Sequence, residues 1–259
     1  LFKGAILDTM YLGLCPGNVG MCTWFDAYRR ESQRDFADGV GSFSRALIEG
    51  LFGVQPDALA GELTVRPGFP PDWNRARIQH PDFTIAFERE GARDTYTVET
   101  RFPKPMALRL LTAAPRARVS SVSVNGRPAN WRMIDDSVGT PRIEIAAEAA
   151  PTRSIVINWS GDPVASAPPE KLSAPGFEYA SGAIPAATIT EIADPQRALE
   201  RASIEQNHVR GVVRGTPGHR TVFARAQQGD LRWWLPLAFE VRPPRELVQA
   251  DAQEPSSLR

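Results

Sequence analysis

Hydrophobic and polar positions change their spacing once along this 259-residue chain, close to Gly53. Ahead of that point, Phe2, Ile6, Met10 and Leu14 recur four residues apart in "FKGAILDTMYLGL", the stripe by which a helix faces a core. "CPGN" ends that helix, since proline, glycine and asparagine in succession make a sharp turn. The charged and aromatic stretch "VGMCTWFDAYRRESQRDFADGVG" follows. It leads to a second predicted helix over 42–52, on which Phe43, Leu47 and Leu51 share a face and Gly53 supplies the C-terminal cap. Two helices and a polar loop cannot bury both apolar faces alone, so residues 1–53 must pack on something else.

After Gly53 the period becomes two. "DFTIAFER" sets Phe83, Ile85 and Phe87 on one face, and "ELTV", "DTYTVETR", "MALRLLT", "RVSSVSV", "PRIEIAA" and "RSIVINW" continue the pattern. Asn125-Gly126, in "VNGRPANW", is the pair best suited to the positive φ angles of a tight hairpin turn. Seven or eight short antiparallel strands with turns between them predict a β-sandwich over 54–160. "SGDPVASAPPEKLSAPG" has no periodic apolar face and reads as a linker at 161–176. A second small β module is expected over 177–243, from "AATITEIA", "HVRGVVRG", "RTVFARAQ" and "WWLPLAFEVR". The last stretch, 244–259, is expected to be a disordered tail.

Charge narrows the function without naming it. Thirty basic and thirty acidic residues cancel, so no global field draws the chain to nucleic acid or to a membrane surface, and a neutral substrate fits better than a polyanion. Cys15 and Cys22 are too few for a disulfide framework and lack the paired spacing of a zinc site; no metal is expected. His80, His208 and His219 are scattered, without carboxylates at ligand spacing. "LFKGAILDTMYLGL" is apolar enough to suggest a signal peptide, but Asp8 interrupts it and no small-residue cleavage site follows. No run approaches the roughly 18 apolar residues of a membrane span. The chain opens at Leu1 inside apparent structure, which reads as part of a longer protein.

One join is more specific. "SFSRALIEGLFGV" runs through "QPDALAGELTVRPGFPPDW" into "NRARIQHPDFTIAFEREG". This resembles the end of the (α/α)6-toroid glycoside hydrolases, in which the last barrel helix passes through an L-x-x-x-P-x-x-P-x-x-W connector into a C-terminal β-sandwich. Here the connector residues are Leu63, Pro67, Pro70 and Trp73. Inverting α-L-fucosidases, α-L-rhamnosidases and disaccharide phosphorylases share the plan. "CPGN", "RDFAD", "FSRALIEGLFG", "PGFP", "GHRTVF" and "WWLP" further resemble a bacterial glycosidase-like group, domain of unknown function 4450, from polysaccharide-degrading gene clusters. The likeness runs from about Leu12 to Pro243. It implies a mainly β chain: an antiparallel β-sandwich preceded by the last helices of an (α/α)6 toroid and followed by a second small β module.

The resemblance also directs attention to Asp38, the candidate general base. In the fucosidases an Asp-Gly-Asn-Phe-Gly turn ahead of the corresponding helix belongs to the catalytic apparatus; here Asp38 is followed by Gly39, Val40 and Gly41, without the asparagine. An inverting glycosidase needs a second carboxyl group about 6.5 to 9.5 Å away. The alternative role for Asp38 is to cap the helix, where an acid stabilises free N–H groups and the helix dipole. Trp24 and Asp26 are candidates for a sugar subsite; the alternative places Asp26 in a solvated ion-pair surface with Glu31, Asp35, Arg29, Arg30 and Arg34. Trp131 and Trp159 read as core, and Trp73 as packing the connector against the helix. Trp233 and Trp234, adjacent on a strand, must point to opposite faces, so one can be buried and the other exposed to stack on a sugar ring, with burial under the linker as the favoured alternative.

The expected function is therefore that of the C-terminal part of an enzyme hydrolysing glycosidic bonds in plant or microbial polysaccharide-derived glycans, without a cofactor and expected to be inactive by itself. Its expected partners are an oligosaccharide or polysaccharide substrate and the remainder of the toroid upstream of Leu1, with no nucleic acid and no membrane. Relatives from polysaccharide-degrading clusters favour the periplasm or the extracellular space. The rival reading is a non-catalytic carbohydrate-binding or structural β-sandwich protein.

Overall fold

The structure, a computed structural model, describes residues 44–244. The chain is mainly β, with largely antiparallel sheets. Among the described residues the strands are, in order, β1 (Val54–Asp57), β2 (Glu62–Val65), β3 (Arg75–His80), β4 (Phe83–Glu90), β5 (Arg93–Thr100), β6 (Ala107–Ala113), β7 (Arg116–Val124), β8 (Arg127–Pro128) and β9 (Trp131–Ile134). They continue with β10 (Arg142–Ala147), β11 (Thr152–Pro163), β12 (Lys171–Ser173), β13 (Glu178–Ala180), β14 (Thr188–Ala193), β15 (Leu199–Glu205), β16 (His208–Val213), β17 (Gly218–Gln228) and β18 (Leu231–Val241). No described helix is long and apolar enough to cross a membrane.

The helix expected over 42–52 differs in kind. Its stretch Ala46–Leu51 is a π-helix, with Phe52 N donating to Leu47 O five residues back. Gly50, a poor α-helix former, lies within it. The Leu51 carbonyl is taken by Gly68 N at 2.9 Å, so the connector beyond β2 helps to close this helix end.

The described residues gather into two compact units, the first holding 44–88, 97–111 and 146–153 and the second 89–96, 112–145 and 154–244. In the first, β1 pairs antiparallel with β2, β2 runs parallel to β6 with Leu63 opposite Leu108, and β3 pairs antiparallel with β4. Alternation places Leu63, Val65, Ile85, Phe87, Leu108 and Leu110 in its core. Arg153 is buried there, its guanidinium donating to the carbonyls of Met106 and Glu148.

In the second unit, β7 pairs with β11, and the Asn125-Gly126 turn forms as the sequence indicates, with φ of 51° and 76°. β17 and β18 make a long hairpin, and β14 and β12 flank it in the order β12-β18-β17-β14. A three-stranded sheet runs β13-β16-β15. The proline- and alanine-rich stretch is more ordered than its pattern suggests. Strand β12 lies in it, parallel to β18, and Ala165 and Ala174 are buried. The Gln228 side chain explains part of this by accepting from Ala165 N and donating to Pro163 O, holding a segment that has no apolar period of its own.

Candidate functional site

Asp38, Trp24 and Asp26 lie outside the described residues, as do Cys15 and Cys22. What the structure describes is the join that follows Asp38. Gly53 has φ +67°, and a Cβ there would fall 1.9 Å from the Arg66 carbonyl oxygen, while Arg66 N donates to Gly53 O. A Cβ on Gly68 would meet Gly50 O at 2.9 Å. "GLFG" and "RPGFP" are thus pressed backbone to backbone, and glycine is required on both sides. Phe69 completes the join, edge-on to Phe52 at 5.2 Å and stacked on Phe87 at 5.3 Å and on Trp73 at 6.2 Å. Trp73 stacks on Phe69 within the connector and keeps 37% of its surface in solvent, while it is Phe69, not Trp73, that meets the helix end at Phe52.

The buried ionisable groups are committed to one another. Asp94 on β5 is fully buried and takes two guanidinium N–H bonds from Arg89, at 2.6 and 2.7 Å, and a third from the Trp159 indole at 3.0 Å. Its hydrogen bond holds the Arg89 guanidinium above its ordinary pKa despite partial burial. Burial likewise pushes the Tyr96 hydroxyl up, against the pull of its hydrogen bond with Thr112. Nothing in this set is left to bind a reactant; it satisfies a buried carboxylate.

The histidines remain apart. His80 stacks on Phe83, His208 Nδ1 meets Ser181 O, and His219 Nδ1 meets Glu170 at 2.8 Å on the surface. Among the described residues no group of three or more His, Cys, Asp or Glu side chains is placed to hold a metal ion.

The tryptophans divide as the strand period requires. Trp159 is core, and Trp131, read as core, is only half-buried, because it stands on β9, the edge strand that pairs with β10. Trp233 is fully buried and Trp234 half-buried on the opposite face of β18. Opposite Trp234 in register is Arg225 of β17, whose guanidinium lies over the indole, 5.3 Å from its centroid. Asp135 accepts from Arg232 at 3.0 Å and from Arg225 at 3.5 Å, and Glu191 of β14 pairs with Arg225 at 3.5 Å. The backbone of Trp234 is fixed too: its N–H donates to Ser137 O and its carbonyl accepts from Gly139 N, each at 2.8 Å.

The doublet Trp233-Trp234 signalled this face in the sequence. Asp135 did not stand out, being about 90 residues from Arg225 and Arg232 with no pattern connecting them. Compared with known proteins, the chain matches no family model, no curated protein and no solved structure.

Proposed function

We propose that this chain is the C-terminal part of a carbohydrate-active enzyme that hydrolyses glycosidic bonds. On this reading the residues before Gly53 contribute the last helices of an (α/α)6 toroid, and the β structure is a supporting sandwich with a second small module. The observation that carries the reading is the interlock of Gly53 and Gly68. Two of the motif segments that carry the glycosidase resemblance, "GLFG" and "PGFP", are in backbone contact, so the end of a helix is held in a set position on a β scaffold. A scaffold of that kind suits an enzyme whose final helix must present a preceding turn, here that of Asp38, to a substrate. The buried set of Asp94, Arg89 and Trp159 fits support better than chemistry.

The test is reducing-sugar release from a panel of neutral plant and microbial polysaccharides by the gene product that includes the upstream remainder of the toroid. Asp38→Asn keeps most capping ability and removes a general base. If Asp38 is that base, activity falls on the order of 10²- to 10⁴-fold while stability is unchanged. Full activity in the Asn variant would return Asp38 to the role of helix cap. Absence of hydrolysis across the panel would leave the non-catalytic carbohydrate-binding or structural reading, which the half-buried Trp234 favours.

A further inference from the structure

The outer face of the β12-β18-β17-β14 sheet carries an aromatic platform with a polar border. Directly paired residues of an antiparallel ladder share a face, so Trp234 stands with Arg225, Pro236 with Phe223, Ala238 with Thr221 and Arg232 with Gln227. Trp234, Phe223 and Pro236 are all half-buried, which leaves apolar ring surface at the solvent boundary. At one end lie two cations, Arg225 and Arg232, and two anions, Asp135 and Glu191, in mutual contact.

We propose that this platform binds a neutral pyranose unit of a glycan, stacked on the apolar surface of Trp234, Phe223 and Pro236 and hydrogen-bonded through its hydroxyls to Asp135 and Arg232. Three observations select that ligand. The two positive and two negative side chains cancel, so the patch offers neither the excess cation that a polyanionic strand requires nor the excess anion that a cationic ligand requires. Indole with proline and phenylalanine forms an apolar surface, matching the C–H face of a sugar ring. Asp135 and Arg232 keep 56% and 46% of their side chains exposed, so an acceptor and a donor already oriented by each other stand free to meet hydroxyl groups at the ring's rim. The backbone bonds from Trp234 to Ser137 and Gly139 hold the indole's strand in position, so little order must be gained on binding.

This site rests on the carbohydrate reading above, but it is tested separately, on the chain as it stands and by binding alone. Affinity electrophoresis and calorimetry would use soluble xylan, β-glucan, galactomannan and arabinogalactan, with polygalacturonate as the acidic comparison. The expected result is binding to at least one neutral polymer, weakened at least tenfold by Trp234→Ala and several-fold by Asp135→Ala, and unaffected by Trp73→Ala. Asp135 is exposed, so its variant serves even where Trp234→Ala impairs folding. Neutral-glycan binding that survives both Trp234→Ala and Asp135→Ala overturns this site and leaves the carbohydrate reading intact. Binding to none of the neutral polymers overturns the site, while hydrolysis by the gene product still decides the enzyme reading.

Discussion

Replacing Asp94 by asparagine tests whether burial, and not charge pairing as such, gives the second unit its electrostatic stability. The substitution keeps the side chain's shape, so it opens no cavity. It removes the charge facing Arg89 and turns an N–H₂ group toward a site where all three neighbours are donors, two from Arg89 and one from Trp159. Breaking a buried ion pair costs about 3–5 kcal/mol. Arg89 retains 18% of its side-chain exposure and can regain some hydration, which places the expected loss near the lower end, about 3 kcal/mol. In a domain of this size that lowers Tm by roughly 6–12 °C. Thermal unfolding by circular dichroism, with urea midpoints at unchanged m-value, measures it. The internal comparison is Glu200→Gln: its pair with Arg214 is equally short, 2.6 Å, but 42% and 55% exposed, and its loss should not exceed about 0.5 kcal/mol. A joint Asp94→Leu, Arg89→Met replacement should recover only part of the loss, since the ion pair leaves together but the buried Trp159 indole loses its acceptor. A cost below about 1 kcal/mol for Asp94→Asn, matching the exposed pair, would refute the reasoning.

Other outcomes follow from the same structure. Gly53→Ala must relieve both a φ of +67° and a Cβ 1.9 Å from Arg66 O, and should destabilise by more than about 2 kcal/mol, whereas Gly61→Ala, with φ +67° and open space around its Cβ, should cost about 1 kcal/mol in the same thermal assay. Equal losses would mean that the join does not depend on the close approach. Burial pushes the Tyr179 hydroxyl up to about 12, above its ordinary 10, so between those values the folded state holds a proton that the unfolded state has released. Stability should therefore fall as pH rises from about 10 to about 12, and Tyr179→Phe should lessen that fall in the urea midpoint, with buried Tyr96 keeping its share, while leaving the pH dependence below pH 9 unchanged.

The sequence by itself determined the change of regime at Gly53 and most strands after it. The period of apolar residues is a local property of the backbone and needs no partner to be read. Phe83, Ile85 and Phe87 are buried on one face as spaced, and Asn125-Gly126 turns as its φ preferences demand. That Trp233 and Trp234 part company was equally legible, because adjacent strand residues cannot share a face. Which of them is buried was not; that depends on what packs against each side of β18. Strand β3 went unremarked because its outward residues, Arg75, Arg77 and Gln79, are polar and its inward ones only half-buried. Strand β12, three residues long and flanked by prolines and alanines, has no period to betray it and exists through pairing with β18, some 70 residues away. Distance in sequence also concealed the neutral cluster beside Trp234, and the bond from Trp159 to Asp94, 65 residues apart. Alternation states that a side chain faces one way or the other, and only the assembled sheets decide what it meets there, since a charge is tolerated inside or useful outside according to partners that no local pattern specifies.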